Sequence, residues 1–135
     1  MVFIDSNTWC YYFDSSAEEH EQVSEELERV LEEEEITMNT IVLMEVAHYL
    51  ITNLGSVEGK EKIDTLLSFP FEVVDFTYRS FEDSVDYLSR YAHTGIGGRD
   101  ATILASMEAA DEEQLVTHDQ AFKDVDSIEV LDPAE

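Results

Sequence analysis

Apolar residues along this 135-residue chain fall into two kinds of run that alternate. Short runs rich in strand formers are Val2-Phe3-Ile4, Ile36-Thr37-Met38, Glu72-Val73-Val74, Gln114 to Thr117 and Ser127 to Leu131. Between them lie segments with helical spacing. An aromatic-rich stretch, Trp9 to Phe13, reads as a short helix behind the capping residues Asp5-Ser6-Asn7. From Ala17 to Glu35, the residues Val23, Leu27, Val30 and Leu31 form the stripe of an amphipathic helix with an acidic outer face. Asn39 or Thr40 caps an apolar helix that carries Glu45. Further helices are expected over Val57–Ser68, Tyr78–Ala92 and from Arg99-Asp100 to Ala110. The last follows the loop His93–Gly98, whose glycines permit tight turning. Strands alternating with helices predict an α/β fold, a three-layer arrangement with a central parallel sheet of about five strands and helices on both faces. No repeat and no Gly/Ser/Pro-rich linker interrupts the pattern, so a single domain over residues 1–135 is expected.

In parallel sheets of this kind ligands bind beyond the carboxyl ends of the strands. Asp5 stands directly after the first strand and Asp119 directly after the fourth. Taken singly, Asp5, Asp100 and Asp119 each also suit a helix N-cap or first turn. Glu45 differs, because it lies inside Ile41-Val42-Leu43-Met44-Glu45-Val46-Ala47 with apolar residues on both sides. A carboxylate drawn out of water there needs a partner, and in a chain with so few bases a metal is expected rather than a base. Converging carboxylates repel and retain protons. A hard divalent cation with oxygen ligands resolves that repulsion and promotes attack of water on phosphorus. No Ser-His-Asp or Cys-His arrangement offers competing nucleophilic chemistry.

Charge changes the picture next. Thirty-two acids against seven bases give a net charge of −25, spread along a chain that is 44% hydrophobic and therefore able to build a core. This is the surface expected of a protein working in molar salt, as in a salt-accumulating halophile. At about 1 M the Debye length falls to roughly 3 Å, so self-repulsion is screened. Nucleic-acid binding proteins are usually basic. Phosphate attraction is weak in molar salt, however, and a divalent ion can supply the missing positive charge. The single cysteine, Cys10, excludes an internal disulfide and reads as a small buried apolar residue. The longest apolar run, Ile41 to Ile51, falls short of the roughly 20 residues of a membrane span. No basic stretch precedes Val2 in the manner of a secretory signal, so a cytoplasmic location and no membrane partner are expected.

Four local motifs then resemble one family in order and spacing. Val2-Phe3-Ile4-Asp5-Ser6-Asn7 is similar to the opening of PIN domains, an apolar strand followed by Asp-Ser/Thr-Asn. Glu45 falls where that family places a glutamate, and Asp100-Ala101 resembles its third motif at a helix start. Thr117-His118-Asp119-Gln120-Ala121-Phe122 resembles the fourth, Thr-x-Asp-x-x-Phe. Size and short N-terminus look most like VapC toxins of toxin–antitoxin pairs. The resemblance implies Mg²⁺- or Mn²⁺-dependent endonucleolytic cleavage of RNA leaving a 5′-phosphate, a homodimer, and an antitoxin partner that blocks the site. It implies Asp5 and Asp100 as principal metal ligands, Glu45 and Asp119 completing the acidic pocket, and Thr117 orienting Asp5. It gives Asn7 a role in holding the first turn or touching substrate.

Among the other chemical groups, Arg99 is the base best placed to meet a phosphate, with a surface ion pair as its plain alternative; Lys123 and Arg90 are expected to be solvated. His48 completes one Glu-x-x-His, where di-iron bundles need two copies, so it reads as a core or interface residue. His118 is expected at the rim of the site, and Trp9, Tyr11, Tyr12 and Phe13 in the core or a dimer contact. Two other functions compete. A haloacid-dehalogenase-like phosphatase would use Asp5 as nucleophile, but that family needs a second aspartate where this chain has Asn7, and Lys123 fits its late lysine poorly. A non-catalytic PIN-like RNA-binding or scaffold module would be expected to have lost some of the four acids. The acidic surface makes its own prediction. The melting temperature should climb steeply between dilute buffer and molar KCl, and a melting temperature insensitive to salt would contradict the halophilic reading.

Overall fold

The computed structural model describes residues 1–135. Its central strand, β1 (Val2–Ile4), is buried along its whole length because strands flank it on both sides. On one side lie β2 (Ile36–Asn39) and then β3 (Phe71–Val74); on the other lie β4 (Gln114–Val116) and β5 (Glu129–Leu131). The five strands run parallel in the order β3-β2-β1-β4-β5. From β1 the chain crosses first to β2 and later to β4 on the opposite flank. The adjacent carboxyl ends of β1 and β4 therefore open the crevice at which sheets of this kind hold ligands.

Six helices connect the strands: α1 (Ser6–Phe13), α2 (His20–Glu33), α3 (Thr40–Leu54), α4 (Ser56–Ser68), α5 (Tyr78–Arg90) and α6 (Gly98–Ala109). They pack as two groups, α1 to α4 together and α5 against α6, which is the expected three-layer α/β arrangement. Helix α1 starts three residues earlier than the aromatic pattern predicts, because Asp5 caps it by accepting from the Ser6 amide. Helix α2 starts three residues later, since the chain first passes through turns in which the Ala17 amide donates to the Asp14 carbonyl and the His20 amide to the Ala17 carbonyl. A 3-10 turn, Gln120–Asp124, lies beyond the pattern altogether and is capped by Asp119.

The core is continuous across the sheet, from Trp9, Phe3 and Met38 to Leu115 and Phe122. Trp9 stacks against Phe13 and Phe69, while Tyr11 and Tyr12 are only half-buried. Cys10 is buried, and that burial pushes its thiol up to about 12, as befits an inert packing residue. Of the two places expected for His48, the core is excluded, for it is exposed. With a period of 3.6 residues, α3 turns Val42, Val46 and Leu50 inward and leaves Met44 and His48 outside.

Two contacts set where α3 runs. Asn39, fully buried at the end of β2, accepts from the Val42 amide as N-cap and donates through Nδ2 to Ser106 Oγ of α6 at 2.9 Å. At the other end, Gly55 adopts φ +89° and ψ 165°, a region open almost only to glycine, and reverses the chain into α4. Gly59 then lets α4 lie directly on α3, for an added Cβ would meet the Leu50 carbonyl oxygen at 2.6 Å. Gly59→Ala is therefore expected to push the two helices apart at a cost of about 1–3 kcal/mol. Denaturant unfolding of the variant measures this, and an unchanged midpoint would mean the helices separate freely.

Candidate active site at the carboxyl ends of two adjacent strands

Asp5, directly after β1, is fully buried. Its Oδ1 accepts from the Ser6 amide at 2.7 Å and its Oδ2 from Thr117 Oγ1 at 2.7 Å. Thr117 is itself buried, one residue past β4, so the side chain that fixes Asp5 comes from the neighbouring strand. Asp119, two residues further, gives one oxygen to cap the 3-10 turn, accepting from the Ala121 amide at 3.0 Å. Asp100 sits in the first turn of α6, where its Oδ2 accepts from the Gly97 amide at 3.0 Å and its Oδ1 is left to face the crevice. Glu45 reaches in from the second turn of α3.

The four acids meet around one cation. Arg99 Nη1 lies 2.9 Å from Asp5 Oδ1 and 3.2 Å from Glu45 Oε1. Its Nη2 lies 3.0 Å from Asp100 Oδ1 and 3.8 Å from Asp119 Oδ2. Residues 5, 45, 100 and 119 are thus gathered by a planar guanidinium whose forked donors can serve several carboxylates at once.

The electrostatics show how little this one charge suffices. Burial is the largest influence on Glu45 and raises its carboxyl above the ordinary range; Asp5 adds to the rise, and Arg99 and Ser6 oppose it. Burial likewise raises Asp100, against the pull of the Gly97 amide and of Arg99, with Asp119 and Asp5 adding repulsion. For Arg99, burial works against the charge, yet the attraction of Asp5, Glu45 and Asp100 more than offsets it and its pKa rises. The cluster remains over-acidic, as expected where one guanidinium faces four carboxylates.

One expectation needs correction: Glu45 is not sealed between apolar faces, for its side chain is 34% exposed at the edge of α3. It also meets a base, Arg99, which sequence order concealed because the two lie 54 residues apart. Arg99 is likewise no simple surface ion pair. Asn7 holds the first turn of α1 to the end of β4: its Oδ1 lies 3.3 Å from Thr8 Oγ1 and 3.4 Å from the His118 amide, which donate to it. His118 stands at the rim, half-buried and tied through Nδ1 to Asp132 Oδ1 at 3.0 Å. Lys123 and Arg90 are exposed as expected, Lys123 in surface pairs with Asp132 and Glu135 and Arg90 over the Tyr87 ring. Ser6 was missed as a site residue. Its buried hydroxyl touches Asp5 and bears on Glu45, and its place in Asp5-Ser6-Asn7 was the available signal.

Comparison with known proteins decides the family. The PIN domain profile matches residues 2–128. The chain belongs to the PIN domain family. None of the curated proteins matches it in sequence. Solved structures do match in fold, and they are VapC-type toxins and toxin–antitoxin assemblies. VapC20 of Mycobacterium tuberculosis, described as a sarcin-ricin loop cleaving toxin, superposes with a TM-score of 0.76 at 19% identity, covering 91% of this chain and 93% of its own. VapBC2 of Rickettsia felis, bound to a promoter DNA fragment, gives 0.73 at 21% identity over 97% and 98%. A toxin–antitoxin complex from Klebsiella pneumoniae gives 0.73 at 22% identity over 98% of both chains. This PIN domain therefore has its four acids and its Arg99 at the crevice that the sheet order opens.

The raised carboxyls make a prediction about pH. Folding raises the pKa of Glu45 and of Asp100, so the folded chain binds protons that the unfolded chain has released. These groups favour folding below the ordinary carboxylate range and lose that contribution as pH rises through their folded values. In metal-free buffer at neutral pH, Glu45→Gln and Asp100→Asn should each melt above wild type, with the gap closing on acidification. Thermal melts across the pH range check this. Lower melting of both variants at neutral pH would show that the Arg99 ion pairs outweigh the cost of crowding.

Proposed function

We propose that this PIN domain is a metal-dependent endoribonuclease, the toxin of a toxin–antitoxin pair, acting in the cytoplasm through Asp5, Glu45, Asp100 and Asp119. The observation that carries the reading is the convergence of four carboxylates from four separate elements on one shared cation. Family membership and the toxins among its structural neighbours support it. The donor set fits a hard divalent ion, Mg²⁺ or Mn²⁺, since every donor is a carboxylate oxygen and the cluster is over-acidic with one positive charge present. Asp5 and Asp100 are the principal ligands on this reading, with Glu45 and Asp119 completing the shell. When bound, the ion supplies Lewis acidity and charge neutralisation for attack of water on a phosphodiester, leaving a 5′-phosphate.

The chain's own residues then do the holding. Thr117 and Ser6 fix both oxygens of Asp5, so it presents one lone-pair direction to the crevice. The Gly97 amide does the same for Asp100. Asn7 keeps α1 docked on the end of β4, and Arg99 is on this reading the base that meets a phosphate of the RNA. As partners we propose a cognate antitoxin and a second copy of the chain. On α5, Tyr78, Phe81, Val85 and Leu88 repeat at heptad spacing and are all exposed, Tyr78 to 77%, which suits a helix pairing with its own copy.

An RNA cleavage assay in molar KCl with Mn²⁺ or Mg²⁺ tests the function. Chelation should abolish cleavage. Asp5→Asn and Asp100→Asn should each reduce it by more than the roughly 10- to 100-fold typical of outer-shell partners. Activity that survives either substitution, or the chelator, would overturn the assignment.

A further inference from the structure

We infer that Arg99 and the divalent ion exchange for one another: the guanidinium is a tethered counter-cation that sits on the ligand oxygens and must swing out before a metal can bind. The inference rests on the metal-dependent reading above and goes beyond it, because it gives the chain an internal competitor for its own cofactor.

The geometry is specific. The atoms nearest the guanidinium are Asp5 Oδ1, Glu45 Oε1 and Asp100 Oδ1, with Asp119 Oδ2 at 3.8 Å. Asp100 Oδ1 and Asp119 Oδ2 are the oxygens left over once Gly97 has taken Asp100 Oδ2 and Ala121 has taken Asp119 Oδ1, while Asp5, whose Oδ2 is held by Thr117, offers Arg99 the lone pair of Oδ1 that the Ser6 amide does not use. A divalent ion held by these carboxylates would need the same lone pairs. Coordination and the Arg99 hydrogen bonds therefore exclude each other.

Two further observations favour exchange over a permanent plug. Arg99 is the weaker of the two cations, a single delocalised charge set among four carboxylates at 2.9 to 3.8 Å. A doubly charged ion of small radius relieves that crowding further. The side chain is also 31% exposed, so its head can leave towards solvent without disturbing the core beneath it. Once displaced, it stays tethered beside Asp100, at the edge where a phosphate approaches, and metal binding and substrate contact become linked through one side chain.

The consequence is that the apparent metal affinity is lowered by the fraction of molecules in which Arg99 holds the oxygens. Mn²⁺ titration calorimetry and thermal melts in molar KCl test this on wild type and Arg99→Gln. Loss of a charge-assisted competitor should tighten Mn²⁺ binding about tenfold. The metal-free variant should melt lower than wild type and gain more from Mn²⁺. Equal or weaker Mn²⁺ binding by the variant overturns exchange while leaving the metalloenzyme reading intact. Mn²⁺ binding by neither protein removes that reading, and the inference with it.

A second measurement does not depend on the variant folding. The chain has only four arginines, Arg29, Arg79, Arg90 and Arg99, so their guanidinium resonances can be resolved by nitrogen NMR. On titration with Mg²⁺, the Arg99 signal should move from a restrained, slowly rotating group to the averaged signal of a solvated one. An Arg99 signal that stays restrained at saturating Mg²⁺ overturns the inference.

Discussion

Everything at this site depends on four carboxylates being forced together faster than one guanidinium can neutralise them. Asp5 follows β1, Asp119 follows β4, Glu45 rides on α3 and Asp100 on α6, so the cluster is closed only when the sheet and two helices are in place. No local stretch of chain would choose this arrangement, because like charges at this separation oppose it. The fold imposes it. Its cost falls on the members that are raised towards protonation, Glu45 and Asp100. A site of this kind is less stable than a neutral one would be, and that deficit is available to any cation able to bind there.

The scaffold limits the cost by giving the acids second employments. Asp5 caps α1, Asp119 caps the 3-10 turn, and Asp100 accepts an amide at the start of α6. Each carboxylate is thus aimed by backbone N–H groups, whose partial positive charge eases the crowding. From the sequence, a cap and a site ligand look like rival explanations for an aspartate after a strand. Here they describe one arrangement: the capping amide takes one lone pair and fixes the carboxylate, and an oxygen with a lone pair to spare is held at a fixed angle to the crevice. Glu45 is the exception, with no backbone donor of its own, and it leans on Arg99 and the Ser6 hydroxyl instead.

Much of this was legible in the chain. The strands and helices followed from alternating apolar periods, and the placement of Asp5 and Asp119 from the ends of β1 and β4. What could not be read was any relation between elements. Arg99 is adjacent to Asp100 in sequence, but its contacts with Asp5 and Glu45 span 94 and 54 residues, and no periodicity encodes them. The exposure of Glu45 misled for a related reason. An apolar run suggests burial on all sides, whereas α3 turns one face to the core and leaves Met44 and Ile51 exposed on another. The 3-10 turn after Asp119 was hidden because five residues carry too little periodicity to register.

The acidic surface bears on how such a site would meet a polyanion. Of the seven bases, Arg29, Lys60, Arg79 and Lys123 are paired with neighbouring carboxylates, and Arg99 is surrounded by them. Arg90 lies on the Tyr87 ring, which leaves Lys62. No basic track exists along which a phosphate backbone could be drawn by side-chain charge alone. If RNA is the substrate, attraction at the site must come from cations that the protein gathers rather than from cations it encodes. That places unusual weight on the cluster: the same excess of carboxylates that disfavours an approaching phosphate is what concentrates divalent charge beside it. Recognition and chemistry then share a single prerequisite, and with the acids unsatisfied neither would proceed.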